Sequence, residues 1–448
     1  MTPLDYKQPP AGYHKNSNFP CEYGGGRRQK HARTPGLNIQ PDDKLGVTTR
    51  QLEAGKWVMC TTDADGRVFV VGCSTPFQPA ISIGWIEEID PITLERIRLS
   101  PDLKTGGHNW AGGCAVLDDG HFLAVFGRYA HKLNMDLELV AKLELPADHA
   151  HNGLLLLSDG MAITRNLEHD HQKKSVFTVF DPVSMTQVEQ FEFVGASIGR
   201  FCIDPQDSED FVYATTPTHI HRLIYRDKKL ELDANWSASY SIPGEDQSFA
   251  WCNCVGDDSV WFMDMGDSEF SKSLMTAYPV GTAPFSMPET LHPYRAPVRL
   301  HRVSTDDSAS IDSINLFDVP HGWQAASPLY APEKRIAMGF DTANGKVGAW
   351  KYDGPGNFSH LWTRDIKNSN QPLYYPDTGE VIVDDVLADF TVDSVVLDIE
   401  TGEEKGRIST GTMTTACMAP TPGLDRDYYA CSGIHGSIYR VFVDDGAS

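Results

Sequence analysis

No apolar run in this 448-residue chain approaches the roughly 20 residues that a membrane-spanning helix needs. Helical periodicity is equally scarce: nothing beyond a few residues keeps a 3.6-residue period, so an all-β fold is expected. Basic charge is in deficit, with 38 Lys and Arg against 61 Asp and Glu, a net charge of -23. That balance tells against a nucleic-acid or anionic-membrane partner and reads as a well-solvated acidic surface. The opening residues, MTPLDYKQPPAGYHKNSNFP, lack the basic and apolar segments of a signal peptide. A cytoplasmic location is therefore expected, unless a leader was removed before this numbering begins.

Several chemical signatures are missing too. There is no Gly-x-Ser-x-Gly elbow, no Walker loop and no complete dinucleotide fingerprint before a helix, so serine hydrolase, kinase and nicotinamide dehydrogenase readings have no support. The nine cysteines are an odd number, and Cys60, Cys73, Cys114, Cys202 and Cys431 fall in strand-like apolar runs. Buried reduced thiols account for them. Cys252-Asn253-Cys254 has no second pair at zinc-ligand spacing and alternates like a strand.

What is present is repetition. Residues 1–49 are polar and rich in Pro and Gly, with no period of 2 or 3.6, and read as an extended N-terminal arm. Gly24-Gly25-Gly26 there could cradle a phosphate, but no strand precedes it and no helix follows. From Glu53 onward, strand, Asp-Gly turn, strand, loop, strand, Asp-Pro or Thr-Gly turn and strand recur at roughly 40–50 residues. Four short strands per repeat, about eight times over, predict a β-propeller spanning 50–448, with seven blades as the alternative. The densest unit is DHAHNGLLLLSDGMAITRNLEHDH at 148–171, a hairpin around Ser158-Asp159-Gly160 with histidines at both ends.

Two strings carry a family likeness. VLDIETGEEKGRI at 396–408 resembles the outer edge of a quinoprotein blade. HNGLLLLSDG at 151–160 resembles the inner hairpin of gluconolactonase- and strictosidine-synthase-like propellers. Both imply a propeller, a fold that many unrelated functions share. In the lactonase-type propellers an inner-strand Asn binds calcium, which would make Asn152, and by repeat Asn109, candidate ligands. Their companion here is histidine, which favours a softer divalent transition metal (zinc, iron or manganese) over calcium.

Blade connectivity sorts the remaining candidates. The loops between blades and those between second and third strands share one face; the Asp-Gly hairpins open on the other. The inter-blade loops hold His108-Asn109, His149-Ala150-His151-Asn152, Arg200, Gln247, His321 with Trp323, and Asn370-Gln371. The second–third-strand loops hold Arg128, Tyr129 and His131, then His169 and His171, then His219 and His221, with Asp264, Asp341, Asp384 and His435 in later repeats. Most of the 16 histidines thus gather at one mouth. Imidazole is both the common transition-metal ligand and the acid–base group of neutral pH.

His108 and His151 are each followed by Asn and are expected at equivalent rim positions, with His321 and His435 as ligands from the far side. His169 or His171 would shuttle protons. Arg128 or Arg200 would hold a substrate anion with Tyr129 nearby. His149, His219 and His221 are further candidates. The expectation is a metal-assisted enzyme on a small carboxylated or oxygenated molecule, hydrolysing a lactone or ester. A lyase or iron-dependent oxygenase on the same site, or a protein-binding scaffold, are the alternatives.

Overall fold

The computed structural model describes residues 19–53, 56–63, 65–74, 82–168, 173–195, 199–242, 250–264, 297–320, 322–324, 326–413, 420–432 and 436–444. These form eight antiparallel sheets, whose innermost strands begin at Lys56, Ala111, His151, Cys202, Ala250, Leu329, Leu373 and Thr421. We number the blades 1–8 in that order. Regular structure among the described residues is otherwise a single 3₁₀ turn at Glu22–Gly24. This is an eight-bladed β-propeller, and no helix among the described residues is long and apolar enough to cross a membrane.

Position in the blade decides composition. Inner strands touch neighbouring blades on both faces, so Ala111–Val116 and His151–Leu156 are buried at every residue. Outer strands expose one side, and Lys229–Ser239 alternates accordingly. The hairpins that join them turn at Asp119-Gly120 and Asp159-Gly160, where the glycines take φ of +76° and +83°, conformations that a side chain resists. Apolar residues from adjacent blades merge into shared cores, as where Trp261 of blade 5 stacks on Tyr330 of blade 6 at 4.3 Å. All eight cysteines in the described segments are free and buried.

The N-terminal segment builds two features. Its strand Lys44–Gln51 runs antiparallel to Ser437–Asp444 and is the fourth strand of blade 8, in register from Lys44–Asp444 to Gln51–Ser437. The ring is therefore closed by pairing the two ends of the chain. The boundary expected at residue 49/50 falls inside this strand, because its partner lies almost 400 residues away, beyond the reach of a local period.

The second feature is a circuit of the axis by residues 19–43. Thr61 of blade 1 donates to the Phe19 carbonyl, and Val116 of blade 2 donates to that of Pro20. Ile203 of blade 4 and Val255 of blade 5 donate to Gly26 and Arg27. His31 donates to the Tyr330 carbonyl of blade 6. Tyr374 of blade 7 exchanges bonds with Lys30 and Ala32, and Arg426 of blade 8 donates to Leu37. These partners lie toward the hairpin ends of the inner strands, so the arm threads that end of the channel. Far from being a disordered tail, its residues Phe19, Cys21, Tyr23, Arg28 and Lys30 are at most 1% exposed. Gly24–Gly26 are part of this circuit, with the Gly26 carbonyl bonded to blade 4, and form no phosphate cradle.

Candidate functional site at the mouth and on the axis

At the opposite face, blades 2 and 3 bring together several of the expected residues. His108 Nε2 lies 3.1 Å from Asp148 Oδ1, and the same oxygen accepts from Arg128 Nη1 at 2.9 Å. The His108 hydrogen bond and the Arg128 charge hold the Asp148 carboxyl below the ordinary range. The neighbouring His149 places Nε2 3.3 Å from Oε2 of the buried Glu168. The His108 and His149 rings are 6.2 Å apart, so two imidazole–carboxylate pairs stand side by side. Arg128 also reaches Glu144 at 3.2 Å and the Leu145 carbonyl. Burial, with Glu144 adding to it, raises the Tyr129 hydroxyl above its usual pKa.

His151 lies beneath this rim with no exposed surface. Its Nδ1 is 3.1 Å from the carbonyls of both Gly127 and His149. Two acceptors require a donor, so Nδ1 carries the proton and Nε2 presents a lone pair, for which the described residues offer no partner. Burial lowers its pKa to about 4, which keeps the ring neutral.

The expected equivalence of His108 and His151 does not hold. Gly127 donates to the Trp110 carbonyl where Leu167 donates to that of Ala150. Trp110 therefore matches Ala150, Ala111 matches His151, and His108 matches Asp148. The two His-Asn pairs coincide in letters three residues out of register. Nor do the asparagines converge on a calcium site: Asn152 Oδ1 accepts the Trp110 indole at 3.2 Å, while Asn109 Oδ1 accepts the Thr105 hydroxyl at 3.2 Å. Among the described residues no three His, Cys, Asp or Glu side chains gather as a metal site. His169, His171, His321 and His435, along with Gln247, lie outside the described residues.

Three histidines assigned to loops sit within third strands instead: His131 in Tyr129–Asn134, and His219 and His221 in His219–Arg226. The strands simply extend further toward this face than the Asp-Gly spacing indicates. His219 and His221 stack at 5.7 Å and bond Thr218, Thr216 and Ser237 hydroxyls, a packing role against Phe193 of blade 3. The histidine–serine pair recurs one blade on. There His301 Nδ1 meets Ser313 Oγ at 2.7 Å and Nε2 meets Asp264 Oδ2 at 3.2 Å. Although this resembles a Ser-His-Asp relay, Asp264 is bonded by Arg299 at 2.9 Å. Both His221–Ser237 and His301–Ser313 are direct cross-strand neighbours, so a repeated scaffold explains them.

His131 is wholly buried and neither ring nitrogen has a partner among the described residues. Burial, with Lys142 alongside, lowers its pKa from 6.5 to about 4. The unfolded chain then binds this proton more readily, so stability is lost as pH falls from about 6.5 to about 4. Substituting His131→Leu removes no hydrogen bond that the structure provides. Relative to wild type, the variant should gain about 2 kcal/mol between pH 8 and pH 5. Urea unfolding at both values tests this, and an unchanged gap would refute it.

Deeper on the axis stands a group that sequence reasoning only touched. Arg200, expected to meet substrate at the mouth, is 1% exposed and its Nε lies 2.6 Å from Glu22 Oε1. Arg28 Nη1 takes the other carboxylate oxygen at 3.2 Å. Arg28, Arg200 and Lys30 lie 5.0, 5.5 and 6.0 Å from the centre of the Tyr23 ring, a shared cation–π platform. Arg165, from the second strand of blade 3, donates to the Gly199 carbonyl, while Arg28 Nε donates to that of Phe201. Lys30 Nζ is satisfied by the Arg28 and Pro328 carbonyls and the Ser327 hydroxyl. The legible signal was Arg165 itself, a charge inside MAITRNL where neighbouring repeats carry apolar residues.

No family model matches the chain, and no curated protein matches it. Solved structures do. A quinohemoprotein alcohol dehydrogenase from Comamonas testosteroni aligns over 97% of this chain and 81% of its own, at 11% identity and a TM-score of 0.66. A europium-containing methanol dehydrogenase aligns over 95% and 98%, at 7% identity and a TM-score of 0.65. BamB from Moraxella catarrhalis aligns over 89% and 97%, at 12% identity and a TM-score of 0.52. At such identities the likeness is one of fold alone, the β-propeller. The lactone- or ester-hydrolysing expectation draws no support from these matches.

Proposed function

We propose that this eight-bladed propeller is an enzyme that acts on a small oxygenated molecule at the inter-blade mouth of its channel, by removing a proton from an O–H group. The observation that carries this reading is the pair of imidazoles 6.2 Å apart, each backed by a carboxylate. A base of this kind serves equally to take the proton of an alcohol whose hydride passes to a separate two-electron acceptor, or of a water attacking an ester. His149 is the better base, because Glu168 is buried and can stabilise the imidazolium as it forms. Arg128, held by Asp148 and Glu144, is placed to orient an anionic or carbonyl group of the substrate.

The structural neighbours named as alcohol and methanol dehydrogenases favour the oxidative branch; the hydrolytic branch rests on the sequence likeness of 151–160. Assaying primary alcohols with an artificial electron acceptor, beside lactones and aryl esters, separates the two. In whichever assay responds, His149→Gln and Glu168→Gln should each lower kcat by about 10²-fold or more. Full activity in both variants would remove the reading.

One observation favours a metal-assisted version: the buried, neutral His151 with its proton fixed on Nδ1 and an open Nε2. That is how a metal-ligating histidine is oriented by its surroundings. The described residues supply this one imidazole and no further converging donors. Elemental analysis of purified protein decides the matter. A stoichiometric transition metal lost in His151→Ala supports it, and a metal content below about half an equivalent removes it.

A further inference from the structure

We propose that the axis of the propeller is a binding site for a small carboxylate, held between Arg28 of the arm and Arg165 of blade 3. The site is independent of the acid–base chemistry at the mouth and stands whether or not that chemistry does.

Charge is the first reason. Arg28 and Arg165 are 0% exposed, and the buried carboxylate Glu22 pairs with Arg28 and Arg200. Among the described residues no carboxylate pairs with Arg165, and an unpaired ion in the interior is strongly destabilising. The second reason is hydrogen-bonding capacity. Arg28 Nη2 and both Nε and Nη1 of Arg165 are buried and have no partner among the described residues. A buried guanidinium N–H left open is a charge-assisted donor for a carboxylate oxygen, and open donors on two arginines let one carboxylate bridge Arg28 and Arg165.

Backbone geometry holds the site open. Arg165 is anchored by the Gly199 carbonyl and Arg28 by that of Phe201, so both guanidinium groups hang from the same short segment between blades 3 and 4. Gly153 faces Arg28 with φ of +86°, and a Cβ there would stand 3.1 Å from Arg28 Nη2. The open side of Arg28 therefore exists because that position has no side chain. The two arginines also feel each other: burial and the Arg28 charge together bring Arg165 down to about 10, still protonated at neutral pH. A bound anion relieves both.

The test is thermal unfolding of the full chain, extensively dialysed, with malonate, acetate, phosphate or chloride added at constant ionic strength. Malonate and acetate should raise the midpoint saturably, and calorimetry with malonate should find one site per chain. Arg165→Met should abolish that rise. Without added carboxylate the same variant should be at least as stable as wild type, since an unpaired buried charge is gone. His149→Gln should retain malonate binding, which separates failure at the mouth from failure here. Stabilisation by phosphate or chloride equal to that by carboxylates would overturn the proposal, as would an undiminished malonate effect in Arg165→Met.

Discussion

Glu22→Gln should destabilise the protein by about 3–5 kcal/mol. The carboxylate lies 3.2 Å from Arg28 and 2.6 Å from Arg200, and all three groups are at most 5% exposed. Glutamine keeps the shape and one acceptor oxygen but removes the charge. Arg28 and Arg200 then lose the carboxylate that both reach, in surroundings that screen poorly. Surface ion pairs rarely exceed 1 kcal/mol, so the size of the effect is itself diagnostic of burial. Denaturant unfolding measures it directly. Adding Arg200→Met to Glu22→Gln should recover part of the loss, because the second change withdraws one of the unopposed cations. A loss below about 1 kcal/mol, or no coupling between the two changes, would show that the axial charges are solvated and not buried.

The fold could be read in the sequence because it is a local code repeated. Asp119-Gly120 and Asp159-Gly160 mark hairpins, strand length marks layers, and the eightfold recurrence from Glu53 onward gives the blade count. The arm was legible as an extended segment, but its closing strand and its axial contacts were not, since they are long-range and its composition is that of a loop. Nothing local in CEYGGGRRQKH announces that Tyr23 is ringed by cations from its own segment and from blade 4.

The mouth was legible in part. His108, His149 and Arg128 do meet there, yet their partners Asp148 and Glu168 were not among the expected site residues. The His-Asn coincidence misled for a physical reason. Blade equivalence is set by backbone hydrogen bonds such as Gly127 to Trp110 and Leu167 to Ala150, and matching letters do not fix that register. His131 and His221 were taken as loop residues because a strand's end cannot be placed from its central period alone.

The arm and the strand that follows it make separable contributions, which predicts a graded response to truncation. A chain beginning at Phe19 serves as the reference. One beginning at Gln40 keeps the closing strand Lys44–Gln51 but loses Glu22, Tyr23, Arg28 and Lys30. It should still give a β-rich protein in the same oligomeric state as the reference, with a markedly lower melting temperature and no response to malonate. A chain beginning at Leu52 loses the closing strand as well. Blade 8 is then left with three strands, and the backbone groups of Ser437–Asp444 that paired with Lys44–Gln51 form an open edge. The ring is also no longer latched where its two ends meet, so every inter-blade core can splay from that gap. This form should aggregate or melt without cooperativity, and a peptide spanning 40–53 should restore part of the transition by re-forming the edge pairing. Size-exclusion chromatography and circular dichroism melts separate the three chains. A chain from Leu52 that elutes like the reference with an unshifted melt would mean that packing between blades closes the ring without the strand.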